Sequence, residues 1–269
     1  MKHARPLVFL VAFLRTVVTY AVVVLFILLF GTLGILLRLL TRSNRCLFAP
    51  AHLGVATSLW TAGTRIRVSG SEHIPTTGAI FCSNHESNID PPVLFHALRR
   101  LDLRMIYKIE FDRVPILSYA LRLADFVPID RRDREHASRA IQRAAALVAS
   151  GLPFLVFAEG TRSRTGELLP FKKGGFIMSI LAQQPIVPMA IRGGRDAMVK
   201  GSALIHPVDV SVRIGAPIET RGLSISDRDR LMVQVRAAIE SLLEACQTSS
   251  RAGDVTNEAS VTHRPGILS

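Results

Sequence analysis

Residues 78–98 read Gly78-Ala79-Ile80-Phe81-Cys82-Ser83-Asn84-His85-Glu86-Ser87-Asn88-Ile89-Asp90-Pro91-Pro92-Val93-Leu94-Phe95-His96-Ala97-Leu98. A short apolar run, Gly78 to Cys82, has the length and composition of a buried strand. A polar octet, Ser83 to Asp90, follows, and Pro91 to Leu98 reads as a helix opened by proline. Strand, polar loop and helix in this order form one unit of an α/β fold.

The pattern repeats on both sides. Arg65–Ser69, Arg104–Lys108, Phe126–Ile129, Pro153–Ala158, Ile186–Ile191 and Val208–Ile214 are strand candidates. Between them Ile116–Leu123, Glu135–Ala149 and Gly174–Ala182 suit helices, and a helix capped by Ser226 or Asp227 runs to about Cys246. Ala49–Ala62 is a further short helix, with Trp60 suited to a membrane interface. The expected fold is therefore α/β, with a largely parallel central sheet flanked by helices.

The N-terminal stretch differs. Thr16–Leu37 is 22 residues without a charge, bounded by Arg15 and Arg38. A membrane-crossing helix needs roughly 20 apolar residues, so this segment is a membrane anchor, either one helix or a two-helix motif. It is too long for the apolar core of a signal peptide. One helix over Leu7–Leu40 would be about 50 Å long against a hydrocarbon core of about 30 Å, so it tilts, overhangs or breaks near Gly31 and Gly34. The predicted division is 1–48 anchor, 49–247 catalytic domain and 248–269 a disordered tail poor in large apolar residues.

Hydrophobic residues make up 49% of the chain and the net charge is +12, with a mean hydropathy of +0.32 and a pI near 10.7. That charge favours anionic partners. Aromatics are only 6% and no basic run is interleaved with them, which argues for lipid over nucleic acid. Cys46, Cys82 and Cys246 are far apart, which excludes a disulfide framework and a CxxC zinc site.

Two loops carry chemistry. In the first, Asp90 lies five residues after His85, where a turn can fold its carboxylate onto one imidazole nitrogen and leave the other as a base. Asp90 before Pro91 is equally a good helix N-cap. A metal reading is weak, because HExxH fails at 88 and 89. The second loop, Phe157-Ala158-Glu159-Gly160-Thr161-Arg162-Ser163-Arg164, follows a buried strand, where open α/β sheets bind ligands. Arg162 and Arg164 offer forked donors for phosphate, and Lys172 and Lys173 precede a glycine-opened helix. An ordinary basic surface turn would read the same way.

Asn84-His85-x4-Asp90, Phe126-Val127-Pro128-Ile129-Asp130-Arg131, Glu159-Gly160-Thr161-Arg162-Ser163 and Val187-Pro188 occur in that order. Together they resemble the glycerolipid acyltransferase family, in particular bacterial 1-acylglycerol-3-phosphate acyltransferases, over roughly residues 65 to 220. The resemblance implies His85 as general base and Asp90 as its partner. It implies an acceptor-phosphate site at Glu159, Gly160, Thr161 and Arg162, assisted by Arg131, and a contact from Lys108 to phosphate or pantetheine. Pro188 would shape the acyl pocket.

The implied reaction moves a fatty-acyl chain from acyl-CoA or acyl-carrier protein to the free hydroxyl of 1-acylglycerol 3-phosphate, giving phosphatidic acid for phospholipid synthesis. A thioester is already activated, so no bound cofactor or metal is implied. The partners would be a lysophospholipid, the thioester donor and membrane lipid. The setting would be a bacterial inner membrane with the catalytic domain on its cytoplasmic side. Backbone amides near Gly160 are candidates for the oxyanion site. This chain departs from the family pattern at Tyr107, where a lysine is frequent, and at Gly175, where alanine is common. Other lysolipids, such as lyso-ornithine lipid, are alternative acceptors. A lipid hydrolase using the same pair and a non-enzymatic anionic-lipid-binding protein are the rival readings.

Overall fold

The computed structural model describes residues 4–163, 165–198 and 202–259. Seven strands form one sheet: β1 (Thr64–Ser69), β2 (Ile80–Ser83), β3 (Arg104–Lys108), β4 (Val127–Ile129), β5 (Phe154–Phe157), β6 (Ile186–Arg192) and β7 (Val208–Ile214). Their order is β1-β7-β6-β2-β5-β3-β4. All neighbours run parallel except β6 and β7. The largely parallel α/β sheet expected from the sequence is therefore present.

Alternating strand side chains sort into two cores. Phe81, Leu155, Val187, Met189 and Ile191 face one side. There they meet α3 (Arg45–Thr61), α4 (Asp90–Ala97) and α5 (Pro115–Leu123) through Phe48, Leu94 and Ala124, among others. Ile80, Cys82, Phe154 and Ile186 face the other. There they meet α6 (Arg134–Ala149), α7 (Gly174–Ala182) and α8 (Arg228–Ala259) through Ala144, Phe176 and Val235. Strands buried on both faces explain why these segments read as continuous apolar runs.

The helix starts are locally encoded. Asp133 caps α6 by accepting from the amides of Glu135 and His136 at 2.9 and 3.1 Å. Before α8 the cap is Ser224, paired reciprocally with Asp227, two residues upstream of the earlier expected position. α8 continues through Ala259, into the stretch expected to be a disordered tail; residues 260–269 lie outside the described residues.

The N-terminal apolar segment forms one long helix, with no break at Gly31 or Gly34 and no hairpin within it. α1 (Ala4–Phe26) passes through a single π turn (Ile27–Gly31) into α2 (Thr32–Thr41) without a break. The chain instead reverses after Arg42, whose left-handed φ of 57° ends α2. Arg38 Nε donates to Asn44 Oδ1 at 2.6 Å across this turn. α3 then runs back antiparallel, pairing Cys46 with Gly34, Gly54 with Phe26, and Thr61 with Thr19. Pro50 has no N–H, which leaves the Cys46 carbonyl without its helical donor. Gly34 packs against that carbonyl: a Cβ there would come within 2.8 Å of the oxygen. The boundary expected at residue 48 falls inside α3, whose Leu47 and Phe48 are buried in the first core.

Candidate active site

The residues singled out by sequence gather at the C-terminal ends of β2, β5, β3 and β4, four neighbours in the parallel part of the sheet. Asn84 extends the ladder by one step beyond β2. Its side-chain Nδ2 donates to the Ile191 carbonyl at 2.9 Å and its Oδ1 accepts from the Ile191 amide at 2.8 Å, the side chain standing in for a strand backbone. The next residue, His85, is thereby presented at a fixed place on the sheet edge.

His85 is held from four sides. Its amide donates to Glu159 Oε1 at 2.8 Å and its carbonyl accepts from the Ser163 amide at 2.8 Å. Its ring stacks on Phe157, with centroids 4.0 Å apart and planes 22° apart. Nδ1 lies 2.8 Å from Asp90 Oδ2. A carboxylate accepts only, so Nδ1 carries the proton and Nε2 keeps its lone pair. Nε2 has no hydrogen-bond partner among the described residues, and the side chain is 16% exposed.

Asp90 explains a tension left by the sequence. Its carboxylate accepts from no amide of α4: Pro91 and Pro92 have none to give, and the Val93 amide donates to the Ile89 carbonyl at 3.0 Å. Oδ2 instead accepts from the amides of Glu86 and Ser87 at 2.7 and 2.8 Å as well as from His85. Capping and orienting do not compete here, because the nearest helix donors are missing or already paired.

Glu159 is turned inward. It is 1% exposed, and its two oxygens accept from the amides of His85 and Leu169, the latter at 2.9 Å. Burial pushes its carboxyl above the usual range, while these amides and the His85 and Arg236 side chains pull the other way. Its geometry is that of a brace joining the two chemical loops. Gly160 has a φ of +65° and lies under the Lys172 side chain, 3.0 Å from where a Cβ would stand. The Gly160 amide donates to the Phe157 carbonyl at 3.1 Å and is already committed.

Arg131, in the loop after β4, donates to the Gly160 carbonyl and stays exposed. Thr161 is exposed and Arg162 half-buried beside it. Arg164 lies outside the described residues. Lys108, at the end of β3 opposite Ile129, pairs with Glu110 at 3.4 Å on the surface. It shares the C-terminal edge of the sheet with His85. Among the described residues no three His, Cys, Asp or Glu side chains converge as a metal site.

Sequence reasoning missed the roles of Asn84, Phe157 and Glu86. Glu86 is half-buried and its Oε1 accepts from the Gly194 amide at 2.8 Å. Burial first, and the neighbouring Asp90 charge second, push its carboxyl up to about 7. A polar residue directly after a strand end, beside the histidine, was the available signal for Asn84. Nothing in the sequence linked Glu86 to a glycine 108 positions away.

Comparison with known proteins bears directly on this geometry. The acyltransferase family model matches residues 65–192, which contain His85, Asp90, Arg131 and the Glu159–Ser163 loop. A 1-acyl-sn-glycerol-3-phosphate acyltransferase of Limnanthes douglasii is 33% identical over 190 residues, covering 70% of this chain and 67% of that protein. The chain belongs to the acyltransferase family. A second enzyme of the same name from Cocos nucifera is 35% identical over 163 residues, of which the chain spans 52% of the plant protein's length. The acyltransferase fold here matches the crystal structure of the 1-acyl-sn-glycerophosphate acyltransferase of Thermotoga maritima with a TM-score of 0.77 and 24% identity. That match covers 92% of this chain and 98% of the other, so the anchor motif and the catalytic domain share one architecture with it.

Proposed function

We propose that the protein transfers a fatty-acyl group from a thioester donor to the free hydroxyl of 1-acylglycerol 3-phosphate, giving phosphatidic acid. The observation that carries this is His85: Nδ1 bound to Asp90 at 2.8 Å, Nε2 free, and the loop bearing Arg162, tied to Arg131 through Gly160, next to it. The enzymes named above that share this family support the choice of acceptor.

An alcohol is a poor nucleophile at neutral pH. As its oxygen attacks the thioester carbonyl, Nε2 takes the hydroxyl proton, an assistance worth typically about 10²–10⁴-fold. Asp90 stabilises the imidazolium that forms. When the tetrahedral intermediate collapses, the C–S bond breaks and the thiolate leaves, taking the proton from His85. Arg162, Arg131 and the exposed Lys108 supply cations for the acceptor phosphate, so that binding energy is spent on orientation. Acyl-CoA and acyl-carrier protein both fit this chemistry as donor.

The anchor supports a location within one leaflet of a membrane. The helix Phe9–Thr41 is apolar and long enough to cross a bilayer, yet the domain accompanies it along its length. Thr16 accepts from the Ile205 amide at 2.8 Å, Thr19 bonds Thr61 at 3.1 Å, and Gly31 packs on Ile116 of α5. A crossing helix would draw these elements into hydrocarbon, where irregular backbone facing lipid is not tolerated. Its outward face, from Phe9 to Leu40, is a continuous row of exposed Leu, Val and Phe, continued by Leu53 and Trp60 of α3 and by Phe111, Val114 and Tyr119. Such a surface suits shallow burial in the boundary layer.

The test is purified protein in detergent with both donors and a panel of lysolipids, products read by mass spectrometry. Phosphatidic acid should form only with lysophosphatidic acid and a thioester present, and His85→Ala should abolish it without unfolding the protein. Turnover by folded His85→Ala, or thioester consumption without acceptor, would rule out the mechanism.

A further inference from the structure

Around the His85–Asp90 pair one half-buried carboxylate has no part in the mechanism. Glu86 sends its amide and its side chain in opposite directions. The amide donates to Asp90 Oδ2 at 2.7 Å. The side chain crosses to the turn after β6, where Oε1 accepts from the Gly194 amide at 2.8 Å. Gly194 in turn lies against Asp90: a Cβ there would meet Asp90 Oδ1 at 2.8 Å and Ile89 Cγ2 at 3.2 Å. Asp90 Oδ1 is buried and has no hydrogen-bond partner among the described residues. One oxygen of the carboxylate is thus fixed by three N–H donors. The other has no donor among the described residues, and the space beside it is left by the missing side chain of Gly194.

We propose that Glu86 is a positioning residue for the catalytic pair: it holds Gly194 against Asp90 Oδ1 and so sets the angle at which Asp90 meets the imidazole. This rests on His85 acting as the base. The bland alternative is a carboxylate that only ties two loops together. Against it stands the cost of the site. A buried carboxylate is normally matched with a cation in hydrogen-bonding contact. Here the groups facing Glu86 are Asp90 on its own turn, the amides of Gly193 and Gly194 and the Arg192 charge at the end of β6, and Cys246 of α8, itself hydrogen-bonded to Arg213 of β7. Burial and the Asp90 charge both oppose ionisation. A neutral side chain would join the loops at less expense. A carboxylate does more: it accepts the Gly194 N–H strongly and adds negative charge behind the imidazole.

The experiment compares Glu86→Ala, Glu86→Gln and His85→Ala in acyl transfer, with kcat and acceptor KM measured across pH. Glu86→Ala releases Gly194, and a small misplacement of the pair should lower kcat about tenfold to a hundredfold with KM unchanged. Glu86→Gln keeps an oxygen for the Gly194 amide and should restore most of kcat. It removes the charge that the native side chain gains as pH rises through about 7, so its kcat/KM profile should depart from wild type in that range. Glu86→Ala with wild-type kcat, equal losses in both Glu86 variants, or a Glu86→Gln profile identical to wild type overturns the proposal. Should Glu86→Ala not fold, the Glu86→Gln profile alone decides. An active His85→Ala would sink the base assignment instead, which separates the two failures.

Discussion

Replacing Asp90 by asparagine changes one atom, and the structure says what that atom meets. The asparagine oxygen can occupy the Oδ2 place, where the His85 Nδ1–H and the amides of Glu86 and Ser87 converge within 2.8 Å. Its NH2 then lies at the Oδ1 place, buried and without an acceptor. The reverse placement sets an NH2 against two backbone donors, each left unpaired at about 1–3 kcal/mol. The first placement wins, and it preserves the imidazole tautomer. What is lost is the charge that stabilises the imidazolium. Unit charges 4 Å apart at an effective dielectric constant of 20 interact by about 4 kcal/mol, of which a retained amide dipole returns part. A net loss of about 3 kcal/mol lowers kcat roughly a hundredfold. A flipped tautomer would cost nearer 10⁴-fold in comparable triads. The assay is kcat for phosphatidic acid formation under saturating donor, with acceptor affinity measured separately and expected unchanged. A folded Asp90→Asn enzyme within about fivefold of wild type refutes the charge argument, since fivefold is only about 1 kcal/mol.

Two further outcomes follow from the same geometry. Arg162→Ala removes a cation from the loop beside the base, and should raise acceptor KM about tenfold with a smaller effect on kcat, as steady-state kinetics over a lysophosphatidic acid series would read. Glu86, whose folded carboxyl is raised to about 7 from an ordinary 4.5, contributes stability that is present below about 4.5 and is lost as pH rises through about 7. The thermal midpoint of Glu86→Gln relative to wild type should therefore climb between pH 5 and pH 8, measured by scanning calorimetry in the same detergent.

The centre of the sheet was legible because β2 and β6 are buried on both faces and read as apolar runs. Arg104–Lys108 and Val208–Ile214 begin and end where the sequence places them, although their burial is mixed. The direction of β7 was not legible, since one antiparallel neighbour in a parallel sheet leaves no mark on the pattern. The anchor hairpin turns at Arg42, a residue in the left-handed region with no glycine to announce it. In the site, His85 and Asp90 stand out because five residues of loop can close on themselves. Glu159 was placed in a phosphate site by the family resemblance of its loop. Its own charge, like that of phosphate, makes a buried amide brace the better physical reading. Gly194 could not be found, because its importance is a contact with Asp90 that only the return of β6 beside β2 creates.

The two faces of the sheet are not equivalent, and the difference ties chemistry to the membrane. Phe157 packs toward the core that contains α3, α4 and α5, and His85 stacks on Phe157. The imidazole therefore lies on the side of the sheet edge that carries the anchor. Exposed Phe111, Val114 and Tyr119 follow directly after Lys108 at that same edge. In the one-leaflet placement proposed above, a lysolipid keeps its acyl chain in hydrocarbon while its headgroup phosphate reaches the cations of the sheet edge and its hydroxyl reaches Nε2. The transfer of a long chain through water, at about 0.8 kcal/mol for each CH₂ exposed, is then avoided. This arrangement needs the helical hairpin to be packed rigidly on the domain. That is what the Gly34–Cys46 approach, the Thr19–Thr61 bond and the burial of Phe48 among Phe95 and Phe126 provide.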